Sequence, residues 1–470
     1  MLRWTLDDEN MVKENPGRLR MSWRVRLLLA TGIVVVGLAL QQLWLARPTW
    51  TDRHGPPEDE EEQEHSDVVF ISLELVDPIF SGNGVYSRTV LTALCEAAPN
   101  SHVVAISGHP ADADQEQEQH HPLASAPLDL QRRVSVIRIP LSRWGKLDRS
   151  SGWEEFAAAG KAGKEVAGSL GRHTTVIAVD WTGYMLAKAL ADAQPRGASS
   201  LSIVYMNFRV FSANSGLSAE DRAFYEKKER AAVEDSALSV ALCHPDAQKL
   251  QSLAPRKPMP LVLSPPLRDD LRVLATTSTA VPAAAAARKY LLCCVRLSVE
   301  KNVELFIRLV EELGQERLRR LGIVPCLVGS GEAAFTQSLT SRLRAACPNA
   351  ETLAFENGPE FLAAIFEKTV LNFHPALYEA FGMTIAEAAA FGVPSLIDSG
   401  GSIGVTNRLR PPEAEVLTSD LRAPIGDLAN HVEALLKDST RLGVVASKAR
   451  LRALEWSRAE FGKHLAGALR

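Results

Sequence analysis

Short apolar runs alternate with longer stretches of helix formers from residue 68 to the end of the chain. The first run, Val68-Val-Phe-Ile-Ser-Leu-Glu-Leu-Val76, has the near-continuous apolar character of a strand covered on both faces. It leads into Ser81-Gly-Asn-Gly84 and a helix-like segment at 85–97. Strand, glycine loop and helix in that order begin a mononucleotide-binding unit, because glycine lets backbone N–H groups approach a phosphate. Further strands are predicted at 103–106, 134–139, 175–179, 201–205 and 238–242. Prolines across 258–266 and the alanine- and threonine-rich stretch 276–288 mark a boundary. The pattern then restarts, with strands at 290–295, 323–328, 352–355, 369–373 and 394–397 and a helix at 303–313. Strands alternating with helices predict α/β architecture, two doubly wound parallel sheets whose ligands lie at the C-terminal ends of the strands.

One stretch breaks this rhythm. Residues 27–46 carry no charge over about the 20 residues that cross a bilayer. Gln41, Gln42, Trp44 and Trp50 suit its outer end. Lys13, Arg18, Arg20, Arg24 and Arg26 precede it, whereas only Arg47 and Arg53 follow closely, so the positive-inside rule predicts a type II signal anchor with the bulk of the chain lumenal. The organisation expected is a cytosolic tail (1–26), a transmembrane anchor (27–46), an acidic stem (47–66), a first domain (67–272), a linker (273–289), a second domain (290–450) and a final helix (451–470). The chain contains no Asn-x-Ser or Asn-x-Thr sequon, so natural glycosylation cannot report its orientation.

Composition adds exclusions. With 46% hydrophobic residues, 23% charged residues and a net charge of -4, the chain is globular and lacks the basic balance of a nucleic-acid binder. Six cysteines without a C-x-x-C pair point to buried thiols and no metal site. The triplet Asp112-Ala-Asp114 lies in a polar loop, so it too is read as solvated.

The candidate chemistry concentrates in the second half. After the strand at 369–373, Pro375, Glu379 and Gly382 precede the helix formers 383–391. A helix starting there presents unpaired N–H groups from Gly382, Met383 and Thr384 and the positive end of its dipole to an anion such as a diphosphate. Glu387, about a turn and a half in, suits the vicinal hydroxyls of a ribose, and Glu379 those of a sugar. Arg296 and Lys301 converge in the loop after the strand at 290–295, where they can offset charge on a departing diphosphate. On the first domain, Gly84 faces the same phosphates. Asp180, Asn207 and Arg209 end two strands and are the acceptor-side candidates, with Asp180 alternatively a helix cap.

The stretch from Phe373 to Pro394, with Tyr-Glu-Ala-Phe-Gly-Met-Thr and Gly-Val-Pro, resembles the E-x7-E signature of retaining glycosyltransferases of family 4, which have the GT-B fold. Arg296-Leu-Ser-Val-Glu-Lys-Asn302 is similar to that family's Gly-Arg-Leu-x-x-x-Lys-Asn motif, with Val295 where glycine is usual, and Val328-Gly-Ser-Gly331 is similar to its Val-Gly-x-Gly turn. Family members often carry an acceptor-side histidine; Asn207 stands in that place. The resemblance implies a retaining transferase that uses a nucleotide diphosphate sugar, with no cofactor, and a last helix crossing back to the first domain. The type II layout is that of a Golgi or endoplasmic reticulum transferase; a cytosolic orientation, a nucleotide-sugar epimerase of the same fold, and a non-catalytic binding protein remain alternatives. Glycan, lipid or protein are all open as acceptor.

Overall fold

A computed structural model of the chain describes residues 68–112, 121–124, 126–162, 173–194, 200–214, 216–277, 288–355, 358–400, 402–411 and 414–469. The expected anchor at 27–46, the tail and the stem lie outside these residues. Among the described residues, no helix is long and apolar enough to cross a membrane.

Seven parallel strands build the first sheet: β1 (Val68–Glu74), β2 (Val103–Pro110), β3 (Val134–Leu141), β4 (His173–Val179), β5 (Ser200–Asn207), β6 (Leu238–Ala241) and β7 (Leu261–Val262). Their order is β3-β2-β1-β4-β5-β6-β7. The second sheet contains β8 (Tyr290–Cys294), β9 (Val324–Val328), β10 (Glu351–Leu353), β11 (Thr369–Phe373), β13 (Ser395–Asp398) and β15 (Leu417–Ser419) in the order β10-β9-β8-β11-β13-β15. Two short strands, β12 (Tyr378–Glu379) and β14 (Ser402–Ile403), pair outside it. Chain order reverses between β1 and β4 in one sheet and between β8 and β11 in the other, which opens a crevice at the strand ends of each. Every residue of β1 and β8 is buried, the reason both read as near-continuous apolar runs.

Several boundaries differ from expectation, each for a local reason. The predicted linker 273–289 begins inside a helix, Asp269–Thr277, whose Leu271 and Ala275 pack with Tyr290, Leu292 and Phe391 of the second lobe. Its three apolar positions at helical spacing are masked in the sequence by threonine and aspartate. The helix predicted at 303–313 runs Val303–Leu321 with a break at Gly314, where φ is 68° and ψ 158°. Glycine tolerates that left-handed break, and the chain resumes helix beyond it. β7, β12, β14 and β15 are two or three residues long and carry no periodicity to detect. All six cysteines are free and buried.

The final helix, Arg458–Leu469, packs on the first-lobe helix Gly82–Ala97. Phe461 and Leu465 are buried in the same cluster as Val90 and Leu94. A Cβ on Gly462 would stand 2.7 Å from the Ala93 carbonyl oxygen, so the two helices meet backbone to backbone. That cluster also joins the lobes, continuing through Phe208 and Met383 to Phe381, Ile385, Ile403 and Val405.

Candidate active site

Two loops at the reversal point of the second sheet meet. The segment after β8 turns through a short 3-10 turn, Val299–Lys301, and Asn302 then adopts a left-handed conformation (φ 52°) that starts the next helix. Asn302 Nδ2 donates to the Pro375 carbonyl in the loop after β11, 3.1 Å away. Beneath, Leu297 N donates to Ser330 O at 3.0 Å, and a Cβ on Gly331 would lie 2.0 Å from the Leu297 carbonyl oxygen. The Gly329-Ser-Gly331 turn therefore supports the Arg296–Lys301 loop by an approach only glycine permits.

Within this frame Lys301 Nζ donates to Glu379 Oε2 at 2.6 Å, and His374 Nε2 lies 3.2 Å from the same oxygen. Burial favours the protonated acid, but the Lys301 ammonium and the His374 contact outweigh it and hold the Glu379 carboxyl well below the usual range. Glu379 is thus an anion at neutral pH. It sits on β12, whose pairing with β14 depends on Gly404: a Cβ there would stand 1.9 Å from Ala380 O. Three residues on, Gly382 (φ 93°) turns the chain into the helix Met383–Ala390, whose start no side chain caps. Its first amides have no intrahelical acceptor, and its N-cap, Gly382, stands three residues after Glu379.

Glu387 lies in this helix and is buried, 5% exposed. Burial pushes its carboxyl up to about 7, opposed by Arg268 and assisted by Asp270. Arg268 in turn pairs with Asp270 at 2.6 Å. Arg296 is half exposed and donates to Glu300. Each of the two expected diphosphate cations is therefore matched by an acid, which lowers the positive potential that a bare reading of the loop implies.

Glu300 holds a second cation. Arg209 of the first lobe donates to it through both terminal nitrogens, at 2.7 and 3.2 Å, with its guanidinium carbon 5.3 Å from the Phe211 ring centroid and 6.0 Å from that of Tyr378. Burial raises the Glu300 carboxyl, but Arg209, Arg296 and Lys301 together bring it down to about 2. Arg209, one of the acceptor-side candidates, bridges the lobes through this pair.

The other two acceptor-side candidates lie beside Arg209. Asp180 is buried in a left-handed conformation (φ 56°), and its Oδ1 accepts from the amides of Phe208 (2.7 Å) and Arg209 (3.2 Å). Asn207 is buried and donates to Tyr205 Oη and Arg209 O, both at 2.9 Å. Both brace the segment that follows β5 through these bonds, while Asp180 Oδ2 and Asn207 Oδ1 have no hydrogen-bond partner among the described residues. Gly84 is buried as well, and a Cβ there would stand 2.9 Å from the Glu74 carboxylate. The Glu74 oxygens accept from Phe80 N, Ser81 N and Ser81 Oγ, so the glycine loop already encloses a carboxyl group of the chain itself. Gly82 is the exposed glycine, and a Cβ there would come within 3.8 Å of Met383 Sδ across the crevice.

The residues that sequence reasoning did not single out are Glu300, His374, Tyr378, Asp246 and Arg268. Glu300 and His374 stand beside or near predicted site residues and could have been weighed as their partners. Tyr378 and Asp246 are 132 positions apart, and only the fold brings the tyrosine hydroxyl 3.2 Å from the carboxylate. Among the described residues, no group of three or more histidine, cysteine, aspartate or glutamate side chains could hold a metal ion.

Residues 277–449 match the family described as glycosyl transferases group 1. Among solved structures, sucrose-phosphate synthase from Thermosynechococcus elongatus superposes with a TM-score of 0.66 at 15% identity, covering 86% of this chain and 98% of its own. Anabaena HepE in complex with UDP-glucose gives 0.57 at 15% identity, with 86% and 99% covered. WaaG, a glycosyltransferase involved in lipopolysaccharide biosynthesis, gives 0.59 at 16% identity, with 85% and 99% covered. These likenesses show the two-lobed GT-B fold. No curated protein matches the chain.

Proposed function

Because residues 277–449 are a glycosyl transferases group 1 domain within a GT-B fold, we propose that the chain is a retaining glycosyltransferase that moves a sugar from a nucleotide diphosphate sugar to an acceptor hydroxyl. The observation that carries the reading is the Lys301–Glu379 pair, set 2.6 Å apart at the reversal point of the second sheet beside an uncapped helix start. The helix amides, Arg296 and Lys301 receive the diphosphate. Glu387 accepts from the ribose hydroxyls and Glu379 from the sugar. The acceptor attacks from the face that the leaving group vacates, so positioning and charge stabilisation on the departing nucleotide supply most of the rate. The complex of Anabaena HepE with UDP-glucose supports a nucleotide-sugar donor of this kind. The uncharged stretch 27–46 and its flanking basic residues support a single-pass type II anchor with the catalytic lobes in the Golgi or endoplasmic reticulum lumen.

Thermal-shift screening of sugar nucleotides, followed by product analysis with and without acceptor alcohols, tests the activity. Stabilisation by a sugar nucleotide and acceptor-dependent release of the nucleoside diphosphate are expected; a modified sugar nucleotide formed without acceptor would identify an epimerase instead. A sequon placed in the stem should be glycosylated in microsomes. Modification only of one placed before residue 27 would reverse the orientation.

A further inference from the structure

Two neighbouring dipeptides form the site, and each divides its side chains in the same way. In Glu300-Lys301 the lysine enters the 2.6 Å pair with Glu379, while the glutamate crosses to Arg209 at 2.7 Å. In Tyr378-Glu379 the glutamate completes that pair, while the tyrosine hydroxyl crosses to Asp246 at 3.2 Å and to both the amide and the carbonyl of Val210 at 3.2 Å. Both crossings land on one stretch of the first lobe, Phe208-Arg209-Val210. Asp180 holds its backbone, and Phe208 lies against Gly82, where a Cβ would be 3.4 Å from the ring. If 208–210 moves away, the bonds of Glu300 and Tyr378 to it lapse beyond about 3.5 Å, and Lys301 and Glu379 lose the anchorage of their immediate chain neighbours.

We propose that Arg209 and Tyr378 are positioning residues, which set the Lys301–Glu379 pair and the Arg296 side chain according to the closure of the two lobes. Arg209 has a second effect. Glu300 Oε1 accepts from both Arg209 and Arg296, so the first-lobe arginine shares an acid that would otherwise belong to Arg296 alone. With the lobes engaged Glu300 divides its charge between Arg209 and Arg296, and with them apart it is left to Arg296 alone, so engagement makes Arg296 the more available to an anion. The bridge thereby links lobe closure to the capture of a diphosphate. For its consequence in turnover the proposal rests on the nucleotide-sugar reading above, but the bridge itself does not.

The full chain with UDP-glucose as probe separates the two. Arg209→Gln leaves Glu300 to Arg296, so it should weaken UDP-glucose binding about tenfold and lower UDP release at saturation by a similar factor. Glu300→Gln frees Arg296, so binding should hold or tighten while UDP release still falls about tenfold. Weakened binding in one variant but not in the other, with turnover lowered in both, is not produced by a merely structural role, which lowers the active fraction and melting temperature in both alike. Turnover within about twofold of wild type in both variants, or equal weakening of binding in both, overturns the proposal. In donor-free protein, Arg209→Gln and Tyr378→Phe should each raise amide hydrogen exchange in peptides spanning 296–302 and 374–384 and leave β1 and β2 unchanged. Unchanged exchange at both peptides overturns the bridge whatever the donor is, whereas failure of wild-type protein to bind UDP-glucose counts against the donor alone.

Discussion

At the scale of single residues, exposure decides which substitutions isolate chemistry from folding. Arg296 has 44% of its side chain exposed and one acidic partner, so Arg296→Ala should leave the melting temperature nearly unchanged. Its loss should lower kcat about a hundredfold, equivalent to about 3 kcal/mol of stabilisation on the departing diphosphate, with a smaller change in donor affinity. Steady-state kinetics alongside donor binding checks this, and rates within a few-fold of wild type would remove Arg296 from the site. Lys301→Ala is a poorer probe, because it strands the Glu379 carboxylate in a nearly closed setting at a cost of about 3–5 kcal/mol. Glu379→Gln keeps the shape and most of the hydrogen bonding, so transfer should fall while the fold stays. Glu387 offers a titration. Its carboxyl sits at about 7, and ribose hydroxyls donate to the ionised form, so donor affinity should rise as pH increases through about 7. Glu387→Gln should flatten that dependence in calorimetric titrations; an unchanged slope would place the titrating group elsewhere.

Elements are held here by backbone approaches that side chains would block. Gly331 and Gly404 each leave no room for a Cβ, with the nearest carbonyl oxygens at 2.0 and 1.9 Å. Neither has a positive φ, so alanine there is opposed by collision alone. Gly404→Ala should separate β14 from β12 and cost about 1–3 kcal/mol, read as a lower urea midpoint, together with loss of donor binding as Glu379 shifts. A variant as stable as wild type would show that the 402–407 segment yields without cost. The two signature-like turns after β8 and β9 were visible in sequence as glycine and basic positions. Their reason was not, since the contact between Leu297 and Gly331 belongs to neither turn alone.

For the whole molecule, buried acids set the response to pH. Burial raises Glu74, Asp180, Asp246 and Glu387 to about 7 and Glu229 to about 8, against ordinary values near 4 to 4.5. Between those limits the folded chain holds more protons than the unfolded one, so stability should fall as pH rises from about 5 to about 8. Glu300 and Glu379 act oppositely, being lowered, and their contribution is lost only as pH falls below about 4.5. Scanning calorimetry should therefore show a higher melting temperature near pH 5.5 than near pH 8, and the reverse order would contradict the burial of these groups. The last helix is a second whole-molecule feature, because it closes the chain on its beginning. Gly462→Leu should push Arg458–Leu469 off Gly82–Ala97 and lower the melting temperature, with proteolysis expected first near residue 457.

What the sequence determined by itself is whatever depends on local periodicity and on motifs confined to one strand-loop-helix unit. Strands such as β1, β8 and β11 were legible because burial leaves mostly apolar runs, Arg296, Lys301 and Glu379 because each lies in the segment that follows such a strand, and Glu387 because it lies in the helix that this segment enters. Only the tertiary structure decided the partners. Glu300 appears in sequence as one more charge in a basic loop, but the fold sets it between Arg296 and an arginine 91 positions away. Asp180 and Asn207 stand at strand ends as expected, but their bonds to the backbone of 208–209 could not be read from sequence, since strand periodicity does not specify which way the following loop folds. Lobe pairing is a non-local choice, made by contacts between segments that share no sequence pattern, and the site is assembled at that pairing.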